Sequence, residues 1–204
     1  MKTDKYIMSF TAGGLFLQES LMVAALYSER QDWAEVRKKV IENNLLQART
    51  QASLQRICRE VCSRLKTLNE AELHLFITGT TQEQKYLLWV AFCRRFRFIR
   101  DFAVEVLHEK VFTLHRQITQ EDYNAFLNSK AEWHKELDRI KPATHRKLRQ
   151  VLFRMLREVD LLDAENVLKD VVLPPRLRGL IARSPHDDFL VFPVAYSHVT
   201  EGAQ

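Results

Sequence analysis

"PATHRKLRQVLFRMLREVDLL", Pro142 to Leu162, carries its apolar residues at helical spacing: Leu148, Val151, Leu152, Met155, Leu156 and Val159. Proline suits a first helical turn, where its missing N–H is no loss. The spacing predicts an amphipathic helix with one buried stripe. At about 100° per residue, Arg146, Arg149, Gln150, Arg154 and Arg157 fall on the opposite face. Downstream, "NVLKDVVL" from Asn166 and "FLVFPV" from Phe189 are short, apolar and rich in β-branched or aromatic residues. Such runs predict strands. "PPRLRGLIAR", opened by Pro174 and Pro175, predicts a small helix between them. A helix followed by short strands predicts a winged-helix-like C-terminal unit.

Upstream of Trp133 the helix starts are written in capping residues. Asp32 precedes WAEVRKKVIENN, Asn69 precedes EAELHLFI, and Thr81 with Gln84 and Thr119 with Asp122 have capping-box spacing. Each sets a side-chain acceptor where the first N–H groups of a helix lack partners. The predicted helices span 14–30, 33–43, 48–66, 70–78, 82–95, 97–114 and 120–130. Short connections make successive helices neighbours. We therefore expect a mainly α protein, with a helical bundle over 1–115 and a C-terminal unit over 116–204 packed on it. Five glycines and five prolines in 204 residues are too few for a turn-rich sandwich or barrel.

Three cysteines, Cys58, Cys62 and Cys93, are too few for a disulfide framework, and no signal-peptide pattern opens the chain. A reducing cytoplasm is the expectation. The charge-free runs Tyr6 to Gln18 and Tyr86 to Cys93 fall short of the roughly 18 to 20 apolar residues that cross a bilayer. No membrane association is expected. A formal charge of +5 permits an anionic partner without requiring one.

"SFTAGGLFLQES", Ser9 to Ser20, sets Gly13 beside Gly14. A phosphate loop needs a preceding strand and, in its Walker form, a Lys followed by Ser or Thr; here Leu15, Phe16 and Leu17 follow. The favoured reading is a helix start capped by Ser9 or Thr11, with the glycines admitting another backbone. Cys58 and Cys62 share a helix face with Leu54, Ile57, Val61 and Leu65, which favours packing over zinc. His186, Asp187 and Asp188 read as a surface turn before the last strand. No constellation of nucleophile, base and orienting group stands out, so no enzyme, metal or cofactor is expected.

The arginines are more informative. Arg49, Arg56 and Arg59 oppose the apolar stripe of the 48–66 helix, as the five polar residues do on the 143–160 helix. Forked guanidinium donors match phosphate oxygens, and Gln150 can reach a base edge. A solvated face fits the same pattern. In "CRRFRFIRDF" from Cys93, helical spacing buries Phe96, Phe98, Ile99 and Phe102 and leaves Arg94, Arg95, Arg97 and Arg100 at a rim. A helical scaffold that docks other proteins, with Trp33 or Phe153 as exposed anchors, is the alternative from a different class.

Read together, "MSFTAGGLFLQES", "NNLLQARTQASLQRICREVCSRL", "QEQKYLLWVAFCRRFRFI", "AEWHKELDRI" and "KLRQVLFRMLRE" resemble the BrxA family, the small component of BREX phage-defence systems. The resemblance runs from about Tyr6 to Pro193. It implies a cytoplasmic, non-enzymatic protein with NusB-like and winged-helix-like features. It also implies binding to double-stranded DNA beside a methyltransferase, an ATPase and other BREX proteins. The expected DNA contacts are then Arg49, Arg56, Arg59, Arg146, Arg149, Gln150, Arg154 and Arg157.

Overall fold

The computed structural model describes residues 5–11 and 13–194. Helices α1 (Leu17–Arg30), α2 (Trp33–Glu42), α3 (Gln51–Leu65), α4 (Glu70–Thr78) and α5 (Thr81–Arg95) follow one another through short turns. The next helical run comprises α6 (Arg97–Phe102), a π-helical segment (Ala103–Leu107) and α7 (His108–Phe112). Then come α8 (Gln120–Ala131), the short α9 (Lys135–Asp138), α10 (Pro142–Glu158) and α11 (Pro175–Ile181). Side-chain caps account for the starts of α2, α3, α4, α5 and α8. Asp32 accepts from the Ala34 and Glu35 N–H groups, and Asn69–Glu72 and Thr119–Asp122 form complete capping boxes. The box at α5 is Thr80 with Glu83, one residue ahead of the expected pair, because the Glu83 carboxylate takes both the N–H and the hydroxyl of Thr80.

The charge-free run from Tyr86 to Cys93 is buried on every side, which makes α5 the central helix. Around it the aromatic rings meet edge-on: Phe10 with Phe96 at 5.4 Å, Phe92 with Phe96 at 5.2 Å and Phe98 with Phe126 at 5.2 Å between centroids. The buried apolar residues from Tyr6 to Phe192 make one cluster, and all six stripe residues of α10 belong to it.

Neither expected strand forms. In the Asn166 segment, Gln117 pairs with Val167 and Leu162 with Leu168, each as an isolated antiparallel bridge. Asn166 sits at φ 63°, the Asp163 side chain takes the Val167 N–H, and Pro174–Pro175 offers no donor to extend a ladder. At "FLVFPV" the chain makes a 3-10 turn over Asp188–Val191. Its carbonyls are spoken for: Leu190 accepts from His108 Nε2 at 2.7 Å and Val191 from the Trp89 indole N–H at 2.9 Å. The Leu190 and Phe192 N–H groups are spent within the turn on the Asp187 and Phe189 carbonyls, and a ladder would have to break those bonds. The strand part of the winged-helix expectation is thus not met among the described residues.

The expected cap of the first helix is also absent. Helix α1 begins only at Leu17, behind Phe16 in a left-handed conformation with no side-chain cap. The residues ahead of it are held by long-range bonds: Glu136 accepts the Tyr6 N–H at 2.8 Å and Asp101 the Tyr6 hydroxyl at 2.7 Å. Burial, followed by the Asp101 bond, pushes the Tyr6 phenol above its ordinary range.

Candidate nucleic-acid interface

Helix α10 presents two faces. Its inner stripe is buried, and Phe153 is buried beside it, so Phe153 is no surface anchor. Its outer face carries Arg146, Lys147, Gln150, Arg154 and Arg157 in the open and Arg149 half-buried. Arg149 donates to Asn124 Oδ1 at 3.1 Å, Arg157 to Asn166 Oδ1 at 2.6 Å, and Arg154 to Glu158 Oε1 at 2.6 Å. Two of these three acceptors are neutral amides, so most of the positive charge is uncompensated. Arg149, Gln150 and Arg157 line a groove of about 480 Å³ between α10 and the start of α8.

On α3, Arg56 and Arg59 are exposed as expected. Arg49 is exposed but precedes the Thr50 cap, so it stands on the connecting turn and not on the helix face. The cation that matters to the architecture here is Arg64, which the sequence reading passed over. Its side chain is 1% exposed, and it bonds Glu60 Oε1 through Nε at 2.8 Å and the Gly14 carbonyl through Nη1 at 2.9 Å. The guanidinium also lies 4.7 Å above the Phe92 ring centroid. Burial holds its pKa below the usual arginine value, against the pull of Glu60 and Glu158.

The Gly13–Gly14 stretch therefore caps no helix and is a strap held from both sides. Leu15 N–H donates to Glu158 Oε2 at 2.5 Å while Gly14 C=O accepts from Arg64. A β-carbon on Gly14 would meet the Arg154 and Glu158 side chains at 3.6 and 3.7 Å, so what approaches is α10's side chains and not another backbone. This strap spans the two helices that carry the exposed arginines. The signal available in the sequence was Glu60 four residues before Arg64, a helical ion-pair spacing.

In "CRRFRFIRDF" the aromatics are buried, as the spacing predicts. Arg94 departs from the expected rim. Its side chain is 7% exposed, bonded to Glu72 at 2.7 Å, Asp188 at 2.6 Å and the Thr67 carbonyl at 2.8 Å. Burial pulls its pKa down, but these bonds outweigh it and hold the group above its ordinary value. Asp188 is correspondingly a buried ion-pair partner and no part of a surface turn. Trp33 is half-buried, stacked on Tyr27 at 3.9 Å, which removes it too as a free anchor. Cys58 and Cys62 are buried, and no group of three metal-ligating side chains occurs among the described residues. Among those residues no helix is long and apolar enough to cross a membrane.

Comparison with known proteins adds a family. A family model described as BrxA matches residues 4–184. A "BREX protein BrxA" from Bacillus cereus (strain H3081.97) is 24% identical over 174 residues, spanning 85% of this chain and 87% of that protein. The crystal structure of an uncharacterized protein from Magnetospirillum magneticum covers 92% of this chain and 96% of its own, with a TM-score of 0.78 at 21% identity. That likeness speaks to the fold alone.

Proposed function

The chain belongs to the BrxA family, and from that premise we propose that it is a cytoplasmic, non-enzymatic accessory protein of a BREX phage-defence system that binds double-stranded DNA. The observation that carries this reading is the outer face of α10: Arg146, Arg149, Gln150, Arg154 and Arg157 on a helix whose opposite face is anchored in the core. Such a helix can lie along a groove and donate to phosphates, with Gln150 reaching a base edge.

The chain order supports a winged-helix-like reading of residues 116–204, packed on a bundle over 1–115. After α7, residues 116–118 pair with 166–168; α8 and α10 follow; then 161–163 pair back with 167–169. The central segment is bonded on both sides, as in the sheet of a winged helix, although each pairing is a single bridge. In that arrangement α10 takes the place of the recognition helix. Arg49, Arg56 and Arg59 on the α3 side extend the basic surface, and the Gly14–Leu15 strap keeps α3 and α10 together. The system's methyltransferase and ATPase are the partner proteins this role implies.

Anisotropy titration of a labelled duplex tests the reading. Neutralising several phosphates predicts a loss of affinity of about tenfold or more between 50 and 200 mM salt. Replacing Arg146 and Arg157 together by alanine should weaken binding and lower the salt slope by about two. Absence of duplex binding at low salt ends the proposal; an unchanged slope in the double variant moves the contact to Arg56 and Arg59. The scaffold alternative draws on Trp133 and Leu114, 74% and 81% exposed. It is favoured instead if a BREX partner stays bound after nuclease treatment and after the arginine faces are neutralised.

A further inference from the structure

Helices α4 and α11 enclose an open groove of about 830 Å³, lined by Ala71, His74 and Leu75 on one side and Arg176, Gly179 and Arg183 on the other. Arg176 and Gly179 stand three residues apart on one face of α11, and Arg183 lies in the turn just past the helix end at Ile181. Gly179 is the unexplained member. It lies inside a helix, where only proline is less favourable. It is exposed, and nothing lies within 4 Å of the position a β-carbon would take. No contact within the chain therefore calls for glycine there. Bare backbone on a groove floor, opposite the small Ala71, suits the close approach of another chain.

Charge says which kind of chain. Arg176 and Arg183 flank the bare stretch and are exposed, although Arg176 also lies 4.0 Å from the buried Glu83 carboxylate, and Lys66 lines an adjoining cavity of about 300 Å³ that shares Glu70 and His74 with the groove. Glu70 is the one carboxylate lining either cavity. Leu75 and Leu180 supply apolar wall between the cations. We infer that this groove docks an acidic, extended segment of a partner protein. The segment's main chain passes over Gly179 and Ala71, its carboxylates meet Arg176 and Arg183, and an apolar side chain packs on Leu75 and Leu180. Nucleic acid would offer phosphates to the same arginines, which the oligo-dT control distinguishes.

The test uses the full chain and a fluorescein-labelled peptide of Glu-Gly-Leu repeats, with a Gln-Gly-Leu peptide and oligo-dT as controls. Saturable binding of the Glu peptide is expected, weakened about tenfold when Arg176→Gln and Arg183→Gln remove its charge-assisted hydrogen bonds. Gly179→Leu should weaken it at least as much by filling the floor, while melting at or above the parent temperature because leucine is the better helix former. Gly179→Ala should do the same more mildly. Arg146→Ala with Arg157→Ala should leave peptide binding unchanged, which separates this groove from the DNA surface. No saturable binding, equal binding of the Gln peptide, or unaltered affinity in Gly179→Leu overturns the inference. Oligo-dT binding lost in Gly179→Leu also overturns it, and assigns the groove to single-stranded nucleic acid.

Discussion

Arg64 and Glu158 grip opposite sides of one peptide unit: Arg64 donates to the Gly14 carbonyl at 2.9 Å, and Glu158 accepts from the Leu15 N–H at 2.5 Å. The first residue belongs to α3 and the second to α10, so a single backbone amide couples two helices 94 positions apart in the chain. Both polar groups of that amide are thereby satisfied where water has little access.

This clasp predicts unequal costs. Arg64→Ala leaves Glu60 and the Gly14 carbonyl without their buried partner and should cost about 3 to 5 kcal/mol. Arg64→Lys should recover little, since an ammonium cannot reproduce the fork. Glu158→Gln keeps an acceptor for Leu15 and should cost less than Glu158→Ala. Urea unfolding of the four variants measures the order; equal midpoints for Arg64→Ala and the parent would remove the clasp from the stability of the fold.

Helix α10 should separate binding from folding. Leu152 is fully buried, so Leu152→Ala is expected to cost about 2 to 5 kcal/mol through the cavity it leaves. Arg146→Ala and Arg157→Ala should each stay within about 0.5 kcal/mol, because both side chains are exposed. Thermal melts beside duplex titrations check the split. A large stability loss in the arginine variants would mean that the outer face is structural.

A fragment of residues 1–115 should not fold by itself. The buried Arg94 takes Asp188 from the C-terminal part at 2.6 Å, and the buried Trp89 indole has its acceptor at Val191. Without them a guanidinium loses one of its two carboxylates and an N–H goes unpaired in the core. Dye binding without a cooperative melt is expected. A dispersed amide spectrum from the fragment would contradict this.

Acid should weaken the fold through two carboxylates. Burial raises the pKa of Asp160, but Lys85 at 2.5 Å and Lys169 outweigh it; for Asp122, Lys110 at 2.7 Å and Thr119 do the same. Both folded values lie below the ordinary one. Their stabilisation is therefore complete above about pH 3.9 and is lost as pH falls through the depressed folded values. Asp160→Asn and Asp122→Asn should lower the neutral-pH urea midpoint and flatten its fall in acid. Parallel acid profiles for parent and variants would argue against both pairs.

What the sequence by itself determined is what neighbours along the chain decide. Apolar residues at helical spacing announced α10 and its buried stripe, and Asp32, Asn69 and Thr119 marked three helix starts, because both periodicity and capping act within a few residues. The exposed arginines of α10 were legible for the same reason: they oppose the stripe. Tertiary structure alone decided which arginines were not surface groups, since Arg94 and Arg64 owe their burial to Asp188 and to Gly14, residues far away in the chain. It also decided that "FLVFPV" is a turn. A strand needs a partner for its backbone, and His108 and Trp89 had already taken the Leu190 and Val191 carbonyls, a choice made by long-range packing that no local pattern records.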